Sequence, residues 1–299
     1  MIEYRGFTKR YGARTVVDRL TLTVPAGAVV ALLGPNGSGK TTSIKAAAGL
    51  IRPDAGEVLL GEERHSSLEP RARRTCSFLP QRVSFPDGLT GREVVEFYRR
   101  LRGAPAGAAD RVLKFASLNG AGTRPVSTYS GGMVQRLGLA VATLGLADVL
   151  LLDEPTAALD PEGLCAFYGL VDERRRAGAA TFFSSHQLGD IERLADRVAV
   201  IVGGKLVAEF TEREIAGRLS DRGVMRVRLA GRAPGLLDRV RECSSQAVWF
   251  GDELIIPGPA AARPALLDLI RNAGGRIIGL TAQEGRLDEF YRELIGGGS

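Results

Sequence analysis

The sequence contains no apolar run long enough to cross a bilayer. A membrane-spanning helix needs about 18 or more consecutive apolar residues. Apolar runs such as Ala28–Leu33 and Val149–Leu152 have the lengths of buried strands. Met1 leads directly into strand-like sequence, without the basic and apolar blocks of a signal peptide. We therefore expect a cytoplasmic protein that acts at a membrane only through another subunit.

Cysteine and histidine are also scarce. The 3 cysteines, Cys76, Cys165 and Cys243, are far apart and show no metal-ligand spacing. Neither of the 2 histidines lies near a cysteine or near the other histidine. Scattered cysteines in odd number indicate reduced, mostly structural thiols. The sequence therefore has no tightly spaced metal motif and no recognisable copper site.

The chain carries only a small excess of positive charge. The chain has 40 Lys and Arg against 34 Asp and Glu, a formal net charge of +6. Arginine is used heavily and lysine rarely, so part of this charge reflects compositional bias. The basic residues are spread out and seldom interleaved with aromatic residues, so we expect no nucleic-acid binding. A basic face would also suit the anionic headgroups of a membrane beside a partner subunit.

Strand and helix patterns alternate through the first two thirds of the chain. Antiparallel strands are predicted at Tyr4–Phe7 and Arg14–Val24, each followed by turn signals. Later apolar segments alternate with amphipathic helices, which favours an α/β fold with a mostly parallel sheet. The predicted strands are 29–33, 57–60, 149–152, 181–184 and 198–202, and the predicted helices are 40–49, 91–102, 110–118 and 130–146.

The pattern changes near residues 212–220, where a short helical linker is predicted. The chain of 299 residues is long enough for one large and one small domain. We place the domains at 1–215 and 216–299 and expect a small α+β fold for the second. Its predicted strands are 224–229, 247–250, 253–256 and 276–280, and its predicted helices are 261–272 and 287–295. Residues 296–299 are typical of a frayed tail.

A glycine-rich turn carries the strongest chemical signal. It follows a predicted strand, opens a predicted helix and fits the pattern G-x-x-x-x-G-K-[ST]. Its residues are Gly34, Pro35, Asn36, Gly37, Ser38, Gly39, Lys40, Thr41 and Thr42. Glycines let successive N–H groups converge on phosphates, and the helix N-terminus adds its positive end. In such a loop Lys40 reaches the β- and γ-phosphates and the Thr41 hydroxyl coordinates Mg²⁺, so the sequence predicts binding of a nucleoside triphosphate.

Two carboxylates follow the apolar segment 149–152. The strand predicted there would deliver Asp153 and Glu154 beside the phosphate loop. Asp153 is placed to hold Mg²⁺, and Glu154 is placed as the general base that deprotonates the attacking water. A positioned base contributes on the order of 10²–10⁴ in rate. An apolar strand that ends in Asp-Glu is common by chance, but its pairing with a phosphate loop predicts hydrolysis.

A third segment precedes this acidic strand and identifies a family. Tyr129-Ser130-Gly131-Gly132-Met133-Val134-Gln135-Arg136 resembles the signature motif of ABC-transporter ATPases, usually Leu-Ser-Gly-Gly-Gln. Tyr129 and Met133 depart from that pattern, but the nucleotide-contacting core of Ser130, Gly131 and Gly132 is intact. An N-capping serine before flexible glycines would have the same local geometry. The other motifs in the correct order favour the resemblance.

The resemblance covers roughly residues 1–215. It implies a P-loop NTPase fold of the ABC type, with a mostly parallel core sheet, an antiparallel β subdomain and a helical subdomain. It also implies hydrolysis of ATP with Mg²⁺. In this family the signature core binds the γ-phosphate held by the opposite subunit, which implies an ATP-sandwich homodimer. The implied partner is a membrane permease, which would place the chain at the inner face of the cell membrane.

Four further positions match the family. Gln81 resembles the Q-loop glutamine, which senses Mg²⁺ and the attacking water. His186 resembles the switch histidine, which contacts the γ-phosphate. Asp160, in Ala158-Leu159-Asp160, resembles the D-loop aspartate that communicates across the dimer. Tyr11 resembles the aromatic residue that stacks on adenine, an interaction of about 1–3 kcal/mol per base.

Short segments of the sequence resemble particular groups of ABC ATPases and so bear on the transported substrate. The ending Gly285–Leu294 resembles the tail of ABC-2 exporter ATPases. Residues 41–45, 85–91 and 287–292 are most similar to the ATPase that serves copper maturation of nitrous oxide reductase. The alternative is the ATPase of a drug or polysaccharide exporter. Partners would handle the substrate in either case.

Functions of other classes fit the sequence less well. ABC ATPases of translation usually carry two ATPase units, and those of DNA repair carry a long coiled-coil insertion. Neither feature is found here, although a soluble non-transport ABC ATPase stays open as an alternative. A P-loop kinase or GTPase disagrees with the signature core and with the lack of a guanine-reading Asn-Lys-x-Asp. A purely structural role would leave the polar motifs unexplained.

Overall fold

The computed structural model describes residues 1–145, 147–157 and 159–296. The chain divides into two compact units, Met1–Phe210 and Thr211–Ser299. The boundary that we predicted after residue 215 falls inside the helix Glu212–Asp221, which groups with the second unit. Thr211 caps this helix in a capping box with Glu214, and the first unit therefore ends before the cap. Among the described residues, no helix is both long and apolar enough to span a membrane.

The first unit alternates strands and helices along the chain. In order, its elements are β1 (Ile2–Tyr11), β2 (Arg14–Val24), β3 (Val29–Leu33), α1 (Lys40–Ala47), β4 (Ala55–Leu60), β5 (His65–Ser66), α2 (Pro70–Arg74), β6 (Cys76–Leu79), α3 (Gly91–Leu101), α4 (Ala108–Phe115), α5 (Gly131–Ala142), β7 (Val149–Asp153), α6 (Pro161–Arg176), β8 (Ala180–Ser185), α7 (Leu188–Leu194), β9 (Arg197–Val202) and β10 (Lys205–Thr211). The predicted α/β class is confirmed.

A six-stranded sheet in the order β10-β9-β3-β8-β7-β6 forms the centre of this unit. Strands β9, β3, β8, β7 and β6 are parallel. Both β3 and β7 are buried at every position, as expected for apolar strands covered on both faces. Because parallel strands end at one edge, the turns after β3, β6, β7 and β8 lie side by side there. This edge positions the candidate site.

A second, four-stranded sheet in the order β2-β1-β4-β5 is antiparallel. Its inner face shares a core with α1 and the central sheet. Tyr4 is fully buried in that core, where its ring lies 5.8 Å from that of Phe182 and its hydroxyl donates to the Ser43 carbonyl at 2.8 Å. The phosphate loop and α1 are therefore held between two sheets.

Helices α3, α4 and α5 pack into a separate apolar cluster that includes Val95, Leu113 and Leu137. The prediction of a helix over 130–146 was wrong at its end, because α5 stops at Ala142. Leu144 continues the apolar spacing and is buried, but Gly145 adopts a φ of 92°, which an α-helix cannot accommodate. Helices α2, α6 and α7 were not predicted from the sequence.

The second unit contains α8 (Glu212–Asp221), β11 (Val224–Leu229), α9 (Leu236–Cys243), β12 (Val248–Phe250), β13 (Glu253–Pro257), α10 (Arg263–Asn272), β14 (Ile277–Gln283) and α11 (Leu287–Gly296). Its antiparallel sheet has the order β12-β13-β11-β14, the split βαβ arrangement of ferredoxin-like folds. Apolar residues of α9 and α10, such as Val240 and Ile270, pack with Val227 and Leu254 of the sheet. Within this unit the expected α+β character is present. Of the tail predicted at 296–299, Gly296 instead ends α11, and 297–299 lie outside the described residues.

Candidate functional site

The phosphate-loop sequence forms a tight turn between β3 and α1. A Cβ atom at Gly34 would lie 2.3 Å from the Ile201 carbonyl oxygen. Gly39 has a φ of 107°, and a Cβ atom there would lie 2.8 Å from the Val16 oxygen. Only glycine fits these two positions. The turn therefore brings the backbone N–H groups and the positive end of α1 toward one small volume, an arrangement suited to phosphate.

The Lys40 side chain is held inside this turn. Its ammonium donates to the carbonyl oxygens of Gly34 at 2.8 Å and Pro35 at 3.2 Å. The same nitrogen lies 3.9 Å from Glu154 Oε1. Burial lowers the pKa of Lys40 from its usual value, although the carboxylates of Glu154 and Asp153 oppose that shift. A largely desolvated cation is thus aimed at the centre of the loop.

Asp153 ends β7 beside this cation and is completely buried. Its Oδ1 accepts hydrogen bonds from Thr41 Oγ1 at 3.1 Å and from Ser184 Oγ at 2.7 Å. Its Oδ2 is buried and has no hydrogen-bond partner among the described residues. Burial raises the pKa of Asp153, and the two hydroxyl donors only partly oppose this. An unsatisfied carboxylate oxygen next to a threonine hydroxyl fits the hard oxygen ligands that Mg²⁺ prefers.

Glu154 has three polar neighbours from three different segments. Gln81 Nε2 donates to Glu154 Oε2 at 3.0 Å, and His186 Nδ1 lies 3.3 Å from the same oxygen. With Lys40 near Oε1, the carboxylate is nearly surrounded. Glu154 has a φ of 48°, a left-handed conformation that costs a non-glycine residue about 1 kcal/mol or more. The chain therefore turns sharply at Glu154 and aims its carboxylate across the phosphate loop.

A cavity of about 330 Å³ lies at this point. Its lining residues are Val16, Asn36, Gly37, Gly39, Lys40, Thr41, Thr42, Gln81 and Glu154. The sequence predicted all of these except Val16, whose side chain comes from the antiparallel sheet. The structure therefore brings together the phosphate loop, the glutamine after β6 and the carboxylate after β7.

The signature residues are not part of this cavity. Of the residues that the structure describes, Ser130, Gly131 and Gly132 do not line it. Ser130 is exposed and caps α5, since its side chain accepts from the Met133 N–H at 3.3 Å. Asp160 caps α6 in the same manner and lies 3.7 Å from Arg136. Ala158 of the predicted D-loop lies outside the described residues.

Tyr11 also lies outside the cavity lining. It ends β1 and is 52% exposed, with the Lys9 ammonium 5.5 Å from its ring centroid. The structure thus places Tyr11 at an exposed end of the antiparallel sheet, outside the lining of the phosphate-loop cavity.

Two residues that sequence reasoning missed support the site. Ser184 accepts from the Glu154 N–H at 2.9 Å while it donates to Asp153, so it ties both carboxylates to β8. Asp190 is 3% exposed and accepts from the hydroxyls of Thr156 at 2.5 Å, Tyr168 at 2.9 Å and Ser185 at 3.3 Å. The run Ser184-Ser185 before His186 was the one available signal for these contacts.

Known proteins are similar to this chain in sequence and in fold. A model described as ABC transporter matches residues 17–157. The daunorubicin/doxorubicin resistance ATP-binding protein DrrA of Streptomyces peucetius is 39% identical over 233 residues, which cover 76% of this chain and 70% of that protein. The Nod factor export ATP-binding protein I of Burkholderia lata is 38% identical over 212 residues, 70% of each chain. A dimeric structure of the ATP-binding cassette MJ0796 in a post-hydrolysis state, bound to ADP and Pi, has a TM-score of 0.65 and 25% identity, and it covers 71% of this chain and 99% of its own.

Proposed function

Because this chain belongs to the ABC transporter family as an ATP-binding subunit with ATPase activity, we propose that it drives a separate membrane permease that exports a small molecule. The observation that carries this proposal is the convergence of Lys40, Gln81 and His186 on Glu154 at the end of the central sheet. This arrangement suits attack by water on a terminal phosphate. The water oxygen bonds to the γ-phosphorus, the bond to the bridging oxygen breaks, and ADP leaves with phosphate as the second product.

The phosphate loop supplies the binding energy in this proposal. Its N–H groups and the N-terminus of α1 hold the β- and γ-phosphates, and Lys40 exchanges its carbonyl partners for phosphate oxygens. That exchange is favourable because a partly desolvated ammonium gains more from an anion than from two neutral carbonyls. Tyr11 would stack on adenine from the exposed edge of the antiparallel sheet.

Glu154 is the proposed general base. Its carboxylate accepts the proton of the attacking water, while Gln81 holds Oε2 and orients the water. His186 contacts the γ-phosphate and stabilises the charge that develops on it. All three side chains follow strands of one rigid sheet, so their positions are set before the nucleotide binds.

Thr41, Asp153 and Gln81 are the proposed ligands of Mg²⁺. The ion, when bound, neutralises charge on the β- and γ-phosphates. The chain's part is to present the Thr41 hydroxyl and the unsatisfied Asp153 Oδ2 to the ion. Within residues 1–145, 147–157 and 159–296, no group of three or more His, Cys, Asp or Glu side chains could hold a metal ion.

The active form is proposed to be a homodimer that sandwiches two ATP molecules. Ser130, Gly131 and Gly132 lie away from the phosphate cavity of their own chain, and the exposed N-terminus of α5 is free to face a second chain. Each signature core would then contact the γ-phosphate held by its partner, and Asp160 would meet the partner's D-loop. The dimeric MJ0796 cassette supports this proposal.

The transported compound is proposed to be a small organic molecule rather than a copper species. The two relatives named above are a drug-resistance protein and a Nod factor export protein, and neither is named for copper maturation. We further propose that the first unit contains the ATPase and that the second is an accessory domain. The permease would hold the chain at the inner face of the membrane, where anionic lipid lies close by and no nucleic acid is involved.

Purification of the Glu154→Gln variant from gently solubilised membranes, with ATP and Mg²⁺, tests this function. Slow hydrolysis should preserve the closed dimer and whatever it binds. We expect a stoichiometric membrane protein that mass spectrometry identifies as a permease. Ribosomes, nucleic acid or no partner would instead move the function to a soluble ATPase.

A further inference from the structure

The turn between β9 and β10 lies against the phosphate loop. The Gly204 N–H in this turn donates a hydrogen bond to the Ser38 carbonyl oxygen at 3.1 Å. The Gly204 carbonyl oxygen accepts a hydrogen bond from the Asp18 N–H of β2 at 2.8 Å. Both backbone groups of Gly204 are therefore engaged, one with the phosphate loop and the other with the antiparallel sheet. A single residue of the turn thus ties the loop to β2.

Close packing at this point leaves room only for a glycine in the turn. Gly204 has a φ of 83°, and a Cβ atom there would lie 2.5 Å from the Val16 carbonyl oxygen. The same oxygen would lie 2.8 Å from a Cβ atom at Gly39. The Val16 carbonyl is therefore packed between a glycine of the turn and a glycine of the phosphate loop. Gly203, the preceding residue of the turn, has a φ of 55°, but a Cβ atom there would meet nothing within 4 Å.

The hydrogen bond from Gly204 sets the direction of the peptide group between Ser38 and Gly39. The described peptide bonds are all trans, so the C=O and the N–H of this group point in opposite directions. With the carbonyl held by Gly204, the Gly39 N–H points away from the turn. Gly39 lines the cavity of about 330 Å³ at the phosphate loop, and no described residue accepts a hydrogen bond from its N–H. The first N–H groups of a helix lack partners in this manner, and an anion satisfies them.

We propose that Gly204 is a positioning residue of the nucleotide site: it holds the Ser38 carbonyl so that the Gly39 N–H donates to a phosphate oxygen of ATP. This inference rests on the proposed function, because it assumes that the triphosphate binds in the phosphate loop. The described lining of the cavity does not include Gly204 itself. Gly204 acts before binding, since a peptide group that is already oriented loses little freedom when the anion arrives. The hydrogen bond to phosphate is charge-assisted, so its orientation affects the affinity strongly.

The Gly204→Ala variant tests the proposal in the full-length chain. The added Cβ would press on the Val16 carbonyl oxygen, so the N–H of residue 204 must move and the peptide group before Gly39 is released. We expect the ATP affinity to fall by about tenfold and kcat to change less, because a contact made equally in the ground state and the transition state affects KM alone. Equilibrium nucleotide binding and phosphate release at saturating ATP measure the two quantities.

Gly203→Ala is the matched control, because it adds the same methyl group at the neighbouring left-handed residue without a close contact. It should lower the melting temperature through backbone strain but leave the ATP affinity at the wild-type value. Amide NMR then separates positioning from folding. The Gly39 N–H resonance should shift when Mg²⁺ and ADP are added to the wild type and to Gly203→Ala, and much less in Gly204→Ala. A purely structural role of Gly204 would leave this response of Gly39 unchanged.

A third variant separates this inference from the proposed function. If Lys40→Ala binds ATP as tightly as the wild type, the phosphate loop does not hold the nucleotide and the proposed function fails. If Lys40→Ala loses binding but Gly204→Ala keeps it, or if both glycine variants lose it equally, only this inference is overturned. Should Gly204→Ala not fold, amide hydrogen exchange of the wild type decides. The Gly204 N–H should exchange slowly, and more slowly with bound nucleotide; exchange at the rate of an unfolded chain would overturn the proposal.

Discussion

Gln81 Nε2 donates a hydrogen bond to Glu154 Oε2 at 3.0 Å across 73 residues of sequence. The amide follows β6, the carboxylate follows β7, and these two strands are neighbours in the parallel sheet. His186, which follows β8, approaches the same oxygen at 3.3 Å. The three groups that we propose act in hydrolysis are thus positioned by three neighbouring strands.

The Glu154→Gln variant should lose the proposed general base but keep the shape of the site. We expect ATP turnover to fall by about 10²–10⁴, since a neutral amide cannot accept the proton of water. ATP affinity should stay within a few-fold of wild type, because the phosphate loop is untouched. Phosphate release and equilibrium nucleotide binding check the two expectations. Glu173→Gln, on the exposed side of α6, is the matched control, and full activity of Glu154→Gln would remove Glu154 from the role of base.

The Gly34→Ala variant should lose ATP binding through sterics alone. The added Cβ would lie 2.3 Å from the Ile201 carbonyl oxygen and 2.5 Å from Ser38 Oγ, so the backbone of the loop must move. We expect at least about a tenfold loss of ATP affinity, since displaced N–H groups no longer converge on the phosphates. Isothermal titration calorimetry with ATP measures this loss of affinity.

The control for that substitution is Gly169→Ala on α6. A Cβ at Gly169 meets nothing within 4 Å, and alanine in a helix interior is favoured by about 0.5–1 kcal/mol. This variant should melt slightly higher than wild type and bind ATP normally. Equal ATP affinity of the Gly34 and Gly169 variants would contradict the steric account of the loop.

The Asp190→Asn variant should lower both the stability of the fold and the rate of ATP turnover. Its buried carboxylate accepts from three hydroxyls, and an amide would present a donor to one of them. We expect a loss of about 1–3 kcal/mol in the free energy of unfolding, measured by denaturant titration. Turnover should fall more than ATP affinity, because Thr156 and Ser185 adjoin the segments that hold Glu154 and His186. Asp172→Asn, which removes a partly exposed pair with Arg175, should cost less than about 1 kcal/mol; equal costs would contradict this role for Asp190.

Local chemistry explains what the sequence could predict. The strands 29–33 and 149–153 read directly as apolar runs, and the glycines of the phosphate loop mark a turn that only glycine can form. Contacts between distant segments could not be read in this manner. Ser184 and Asp190 are ordinary residues by type, and their contacts arise only when β7, β8 and α6 are packed. The end of α5 was missed because Gly145 overrides an apolar pattern that continues to Leu144.

Mixed dimers test whether the signature core acts on the partner's nucleotide. Lys40→Ala removes the cation of the phosphate loop, and Ser130→Arg blocks the exposed N-terminus of α5. Each variant alone should have little ATPase activity.

In an equal mixture of the two variants, half of the dimers contain one chain of each kind. Each of these mixed dimers has one intact site, which combines Lys40 from one chain with Ser130 from the other. We therefore expect roughly a quarter of wild-type turnover if the sites act independently. If the signature core instead acted on the nucleotide of its own chain, both nucleotide sites of a mixed dimer would lack a required residue. The mixture would then have no more ATPase activity than either variant alone. Phosphate release from mixtures at several ratios, with each variant alone as control, decides between the two arrangements.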